Sequence, residues 1–304
     1  MEGTHHKKIK VIGIGGGGIN AVNRIIKNRT ADADFLCIDS DISALNDSLC
    51  KNRILLKDIT YGCYKNESEK AAQAASFAGA EIMNAIADTE IAIIVTGMGG
   101  ATGTGATRVV AENARHMGIR TICAVSQPFA WEGYETNKIA EDAIRRLRGI
   151  PDITYTLYCN NLIEIIDRNT RLCDSFIYVD EVMMHFTQAI IDILTNGIGG
   201  LNIEGVLYTS HSLDMGIGIG RGYGEIRRSR AAEIAINSKL IERPIKIAAY
   251  IIAVIRGNAI TAEEVECVNN IIKEQAGEDK IIFTCIVPDD ALNQEMKVTT
   301  IIGT

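Results

Sequence analysis

Two glycine-rich stretches carry the first legible chemistry of this sequence. "GIGGGGIN", Gly13 to Asn20, follows the apolar run Ile9 to Ile12 and leads into "AVNRII", whose valine and isoleucines recur at helical spacing. Glycines at a strand-to-helix turn let the backbone take positive φ and clear away side chains that would hold a ligand off. The free N–H groups of the helix start, backed by the helix dipole, then favour an anion, and phosphate is the natural guest. Taken alone, the stretch also satisfies GxGxxG. Asp39 stands at the end of the next strand, about 20 residues on, where a dinucleotide-binding domain holds its ribose-binding acid. By that spacing a nicotinamide or flavin enzyme is a fair reading, and so is a glycine turn that only packs helix against strand.

A second loop decides between them. "GMGGATGTG", Gly97 to Gly105, follows the apolar run "IAIIVT" and enters the helical pattern "ATRVVAENA", with five glycines and two threonine hydroxyls. A parallel sheet would bring it beside the first loop, at the carboxyl ends of the strands. Two anion-binding turns on one crevice suit a di- or triphosphate, whereas a dinucleotide enzyme needs one. The sequence has no GxxxxGK[ST], so phosphate would be held by main chain and hydroxyls without a cradling lysine. Phe176 and Asp180, four apart on one helical pattern, project from one face. The ring could stack on a purine while the carboxylate accepts from guanine N1 and N2, a donor pair that adenine lacks. From spacing alone, a core phenylalanine beside a solvated helix charge is the better reading.

These groups need a scaffold, and the hydrophobic pattern predicts one. Short apolar runs at Ile9 to Ile14, Phe35 to Ile38, Ile91 to Val95, Thr121 to Val125 and Ile153 to Leu157 read as strands. Helical periods begin near Asn20, Ser68, Gly105, Asn137 and Asp174, giving the alternation of a parallel sheet flanked by helices. The last helix is the longest, with Phe176, Val179, Met183, Phe186, Ile190 and Ile193 in one apolar stripe, and "NGIGG", Asn196 to Gly200, ends it. Beyond it the pattern predicts strand Val206 to Thr209, helix Ser229 to Asn237, strand Ile245 to Ile255, helix Ala262 to Glu274, and strands Lys280 to Val287 and Lys297 to Ile302. A length of 304 residues suits two such units. The net charge of −7 argues against general nucleic-acid binding. The eight cysteines show no CxxC pair and read as buried thiols of a reducing cytoplasm. No apolar run reaches the roughly 18 residues of a membrane span, and His116, His185 and His211 suggest no metal site. The basic run Arg221 to Arg230 reads as a solvated helix start, and Trp131 as either a structural residue or one packed near a ligand.

At the second loop the sequence resembles the tubulin/FtsZ family of cell-division GTPases, whose GGGTGTG appears as "GGATGTG". "GIGGGGINAVNRII", "FLCIDSD", "SQPFAWEG", "SFIYVDEVMMHFTQAIIDIL", "AINSKLIE" and "MKVTTIIG" resemble further family segments in the family's order, covering nearly the whole chain. The resemblance implies an α/β fold: a Rossmann-like parallel-sheet GTP-binding domain (1–172), a long central helix with its following loop (173–200), and a smaller α/β C-terminal activation domain with a mixed sheet (201–304). It further implies that Gly15, Gly16, Gly17, Gly97, Gly99, Gly100, Ala101, Gly103 and Gly105 wrap the phosphates of GTP or GDP, with Thr102 and Thr104 adding hydroxyls. Asn20, Asn160 and Asp180 would face the guanine and Glu132 the ribose, with Asp39 and Pro128 in the neighbouring loops. Mg²⁺ would be bound mainly by phosphates and water.

The family places nucleotide between successive subunits of a head-to-tail filament, and the loop after the central helix completes hydrolysis on the neighbour. That loop typically reads NLDFADV, with two aspartates; here it reads "GGLNIEGV", with Glu204 the one acidic residue: matching Asn202 to the family asparagine sets Glu204 on the first aspartate, and an ungapped match from the downstream strands sets it on the second. A single carboxylate can still orient a water, so the sequence implies either a slow GTPase or a GTP-binding filament protein with little hydrolysis. The glycine-rich loop that senses the terminal phosphate is replaced by "YGCYKNESE", Tyr61 to Glu69, and Thr136 stands near the place of an expected arginine. The resemblance also implies a cytoplasmic, self-associating protein with no membrane insertion, here without the adaptor-binding C-terminal tail.

Overall fold

The computed structural model describes residues 8–28, 33–57, 67–167, 169–195, 213–241 and 244–303. Its chain divides into two compact units, the first running through residue 188 and the second taking the described residues from 189 onward.

The first unit is built on β1 (Ile9–Ile14), β2 (Asp34–Asp39), β3 (Asn52–Leu55), β4 (Ile91–Gly97), β5 (Arg120–Gln127) and β6 (Ile153–Tyr158). They pair in the order β3-β2-β1-β4-β5-β6, every pair parallel. Helices α1 (Gly15–Asn28), α2 (Ile42–Asp47), α3 (Glu67–Phe77), α4 (Gly79–Ala85), α5 (Ala101–His116), α6 (Tyr134–Leu147) and α7 (Leu172–Thr195) connect and follow them. A parallel sheet has both faces covered, which is why its inner strands read as unbroken apolar runs: β1 is buried from end to end. Ile12, Ile14, Leu36, Ile38, Ile94 and Val125 from the strands meet Ala106, Val110 and Ala111 of α5 in one core. Strand order reverses between β1 and β4, and open α/β sheets bind ligands in the crevice that such a reversal leaves at the carboxyl ends.

The five strands expected in this unit are present, and α1 and α5 begin earlier than expected, at Gly15 and Ala101. The glycine turns are themselves the first helical residues, where N–H groups have no intrahelical partner and glycine's poor helix propensity matters least. The edge strand β3 and the short helices α2 and α4 were not expected. Of β3's residues only Ile54 is buried, so no apolar run marks it.

The second unit contains β7 (Leu213–Tyr223), α8 (Arg227–Ile236), β8 (Tyr250–Gly257), α9 (Ala262–Ala276), β9 (Ile282–Pro288) and β10 (Glu295–Gly303). Its strands pair as β7-β10-β8-β9, antiparallel at the first two junctions and parallel at the third, giving the expected mixed sheet. The expected strand at Ile245 to Ile255 is a shorter one. Pro244 fixes a 3-10 turn over Ile245–Ile247, and pairing begins at Tyr250. β7 was not expected, and the expected strand Val206 to Thr209 lies outside the described residues. Thr261 and Glu264 form a reciprocal capping box that starts α9. Glu264 also receives Arg227 Nε at 2.6 Å and Nη2 at 3.0 Å, so this arginine of the basic run is held in a largely buried ion pair and is not solvated.

Candidate functional site

The two glycine loops meet at the reversal between β1 and β4. Gly15 has φ +70°, and a Cβ there would lie 2.9 Å from Gly103 N; a Cβ on Gly17 would lie 3.4 Å from Gly97 N. Each loop therefore occupies the space that a side chain on the other would need. Two further glycines seat the helices on β4: Gly18 presses on the Val95 carbonyl and Gly103 on that of Gly97, each at 2.3 Å from a built Cβ. Gly16 and Gly100 differ, because a Cβ on either would meet nothing within 4 Å. Gly100 N-caps α5 with no side-chain hydrogen bond, leaving the first-turn N–H groups uncapped.

These open positions face a cavity of about 490 Å³ within the first unit, in the size range of small-molecule sites. Gly15, Gly16, Gly17 and Asn20 of α1 line it, with Gly97, Gly100, Ala101, Thr102 and Gly103 from the second loop. Asp39 lines it from the end of β2, buried, its Oδ1 accepting from Ser40 N at 2.7 Å. The Ser40 hydroxyl, just past β2, bonds that of Thr102 in the second glycine loop at 2.7 Å. Pro128, Glu132, Phe176 and Asp180 complete the expected residues on the wall.

Four expected residues are not among those lining the cavity. Thr104 turns its Oγ1 to accept from Gly99 N at 2.8 Å, so both residues shape the turn from within. Gly99 has φ +103°, and a Cβ there would strike Pro128 and Thr136 at 2.8 Å. Gly105 lets α3 cross α5, since a Cβ would be 2.0 Å from Ser68 O. Asn160 Oδ1 accepts from Ala130 N at 2.9 Å and so anchors the Phe129–Gly133 segment. Conversely Ser40, Asp41, Ala44, Met98, Ser126, Cys159 and Val179 line the cavity without having been singled out. Ser40 and Asp41 follow Asp39 directly, Met98 lies within the second glycine loop and Val179 precedes Asp180 on α7, and that adjacency is the signal that could have found them; topology delivers Ala44, Ser126 and Cys159. Asn202 and Glu204 lie outside the described residues.

Electrostatics divide the cavity into two ends. No lysine or arginine lines it among the described residues, so the glycine end offers positive potential through N–H groups and two helix dipoles. The opposite end holds carboxylates. Burial raises the Asp180 carboxyl to about 6 against the opposing pull of Arg24. Burial likewise raises Glu132, whose Oε1 accepts from Phe129 N at 2.8 Å. The Cys159 thiol is pushed far up by burial and then by these two carboxylates. Above Asp180 the Phe176 ring packs edge-on to Trp131 and Phe129, centroids 5.6 and 5.8 Å away, while Phe129 and Trp131 stack at 4.9 Å. Phe176 nonetheless stays 42 % exposed, so α7 presents a ring and a carboxyl side by side. An anion at the glycine end and a planar, donor-bearing ring at the other match these two ends.

Residues 8–167 match the Tubulin/FtsZ family, GTPase domain, and residues 214–304 match the FtsZ family, C-terminal domain. The chain is 34 % identical to the cell division protein FtsZ of Mycoplasmopsis pulmonis over 96 % of its own length and 76 % of that protein's. A solved structure of an FtsZ mutant from M. jannaschii superposes with a TM-score of 0.89 at 28 % identity, covering 98 % of this chain and 91 % of the other. An empty FtsZ dimer from the same organism gives 0.89 at 27 % identity, over 99 % and 89 %.

Proposed function

The chain belongs to the Tubulin/FtsZ family, and from that membership we propose a GTP-binding cytoskeletal protein that assembles head to tail and hydrolyses GTP at the junction between subunits. The single observation that carries this reading is the convergence of two glycine-opened helix starts on one cavity whose far end is Phe176 and Asp180. The polyphosphate would lie on the amides of Gly15 to Gly17 and Gly100 to Gly103. The guanine would lie against Phe176, with its N1 and N2 hydrogens donated to Asp180 and with Asn20 at its edge. Glu132 would receive the ribose. With no basic side chain on the wall among the described residues, the phosphate charge calls for a counterion beyond the amides. Mg²⁺ held by phosphates and water fits that need, and when bound it supplies neutralisation of charge developing on the transferred phosphoryl group.

Asn202 and Glu204, in the loop following α7, would act on the nucleotide of the adjoining subunit, with Glu204 orienting the attacking water. The M. jannaschii FtsZ dimer supports self-association as the mode of assembly. Residues 1–172, 173–200 and 201–304 would serve as the GTP-binding domain, the central helix with its loop, and the activation domain. Cell division and a cytoplasmic location accord with the named role of the M. pulmonis relative and with the absence, among the described residues, of a helix long and apolar enough to cross a membrane.

GTP turnover and light scattering measured against protein concentration test the shared site: turnover per subunit should rise as filaments form, and a flat profile would falsify shared catalysis. A second reading, a filament protein with little hydrolysis, is favoured by the single acidic residue in "GGLNIEGV". Glu204→Ala separates the two. On the first reading it lowers turnover by on the order of 10²-fold or more with assembly retained; an unchanged rate removes Glu204 from the mechanism.

A further inference from the structure

One pair of thiols stands apart from the other cysteines. Cys37 lies within β2, two residues before Asp39, and Cys50 lies just past α2, both essentially without solvent exposure. Ser48 brings them together: its Oγ reaches Cys37 Sγ at 3.5 Å and receives Cys50 N at 3.1 Å. Arg53, opposite Cys37 in the β2–β3 register, donates to the Cys50 carbonyl at 2.6 Å and to the Ser48 carbonyl at 2.7 Å. Cys50 Sγ donates to the Asn52 carbonyl at 3.1 Å. The neighbouring Cys37 is the main influence drawing Cys50 below the ordinary thiol range, aided by Asn52 and Arg53, and the same pairing, with burial, drives Cys37 far up. Cys123, Cys159 and Cys285 feel burial first and have no second thiol against them among the described residues.

We propose that Cys37 and Cys50 are a dithiol oxidised by peroxide to an intramolecular disulfide, and that this bond tightens the wall of the cavity. Cys50, as thiolate, attacks a peroxide oxygen; the S–O bond of the sulfenic acid forms as the O–O bond breaks, and the hydroxide that leaves takes up the proton the thiol lost on ionising and departs as one water. The Cys37 sulfur then displaces hydroxide from that sulfenic sulfur, losing its proton and releasing the second water. The two sulfurs together give up the two electrons that reduce one peroxide. Burial does not bar the reagent, because β3 is the edge strand of its sheet and the 48–53 segment can open locally.

The consequence follows from what the bond encloses. Between Cys37 and Cys50 the chain carries Asp39, Ser40, Asp41 and Ala44, all lining the cavity. A crosslink at the two ends of this segment restricts the openings through which a bound nucleotide leaves. This second step rests on the nucleotide reading of the site; the disulfide does not.

Folded protein is treated with hydrogen peroxide, alkylated in denaturant and digested. Both cysteines fall in the tryptic peptide between Arg29 and Lys51, and cleavage before Asp39, Asp41 and Asp47 separates them. The expected result is loss of both alkylation adducts, with the Cys37 and Cys50 fragments still joined until dithiothreitol is added; Cys50→Ala or Cys37→Ala abolishes the joined species. Recovery of Cys37 and Cys50 fully alkylated, under peroxide that has oxidised the exposed Cys173, would overturn the dithiol. The release rate of a fluorescent guanosine nucleotide is read on the same samples. It should fall severalfold on oxidation of the parent protein and hold constant in Cys50→Ala; joined fragments with an unchanged release rate would overturn the coupling. Failure of reduced protein to bind any nucleotide would count against the proposed function and leave the disulfide result standing.

Discussion

Glycine does opposite work in the two units. In the first, Gly16 and Gly100 face space: no protein atom stands within 4 Å of where a side chain would begin. In the second, the glycines of β7 face backbone. A Cβ on Gly218 or Gly220 would lie 1.9 Å from the carbonyl of Ala235 or Ala231, and one on Gly222 would lie 2.1 Å from that of Arg227. Helix α8 lies directly on the strand, with Ala231, Ala232 and Ala235 fully buried. A glycine that faces protein is a packing device, and one that faces emptiness beside an uncapped helix start is a seat for a ligand. Both kinds occur within a few residues in the second loop, where Gly103 and Gly105 pack and Gly100 is open.

Substitution separates the two uses. Gly220→Ala forces a methyl into the α8 backbone, which cannot yield as a flexible side chain would. We expect a loss of about 3–5 kcal/mol or outright failure of the second unit to fold, read from urea unfolding. Gly16→Ala is expected to leave stability unchanged or raise it by up to about 1 kcal/mol, since alanine suits a helix and nothing is displaced. Its methyl would instead enter the phosphate end of the cavity, lowering guanosine nucleotide affinity by about 10–100-fold in a fluorescent titration. Equal binding by Gly16→Ala would end the distinction, as would an intact second unit in Gly220→Ala.

The same contrast explains what the sequence makes legible. The inner strands of the first unit announce themselves because burial on both faces demands unbroken apolar runs, as in β4. In β7, "LDMGIGIGRGY", every second residue from Gly216 to Gly222 is glycine, all on the packed face. The period of two is there, but the helix backbone replaces the side chains by which a strand is recognised. At the site, the turn of Gly15 to Gly17 was marked by local spacing, whereas spacing alone read Phe176 and Asp180 as a core ring and a solvated charge, and the family resemblance was what pointed them at a base. Ser126 and Cys159 were not marked, because only the strand order brings them to the cavity; Val179, between Phe176 and Asp180 on α7, read only as part of the apolar stripe. Asn160 marks another limit: a family resemblance cannot tell a side chain turned to the cavity from one turned to Ala130 N.

Acidity gives the smallest effect, and its two signs sharpen the account of the far end of the cavity. Asp180 sits at about 6 chiefly through burial, above the ordinary carboxyl value near 3.9 of an unfolded chain. Between those values the folded protein holds the extra proton, so the ligand-free protein gains stability as pH falls through about 6; the gain is complete below the unfolded value and lost again as pH rises. Glu132, also raised by burial, pulls in the same direction. Guanine needs the opposite form, because only the ionised carboxylate accepts both N1 and N2 hydrogens. Nucleotide affinity should therefore decline as pH drops through about 6, by at most about tenfold per unit, while the melting temperature of the ligand-free protein climbs. Asp180→Asn should flatten the affinity slope and reduce the stability slope to the share of Glu132, whereas Gly16→Ala should keep both. Parallel slopes in the parent protein, or an affinity slope that survives in Asp180→Asn, would remove Asp180 from base recognition and leave the far end as a buried acid beside an exposed ring.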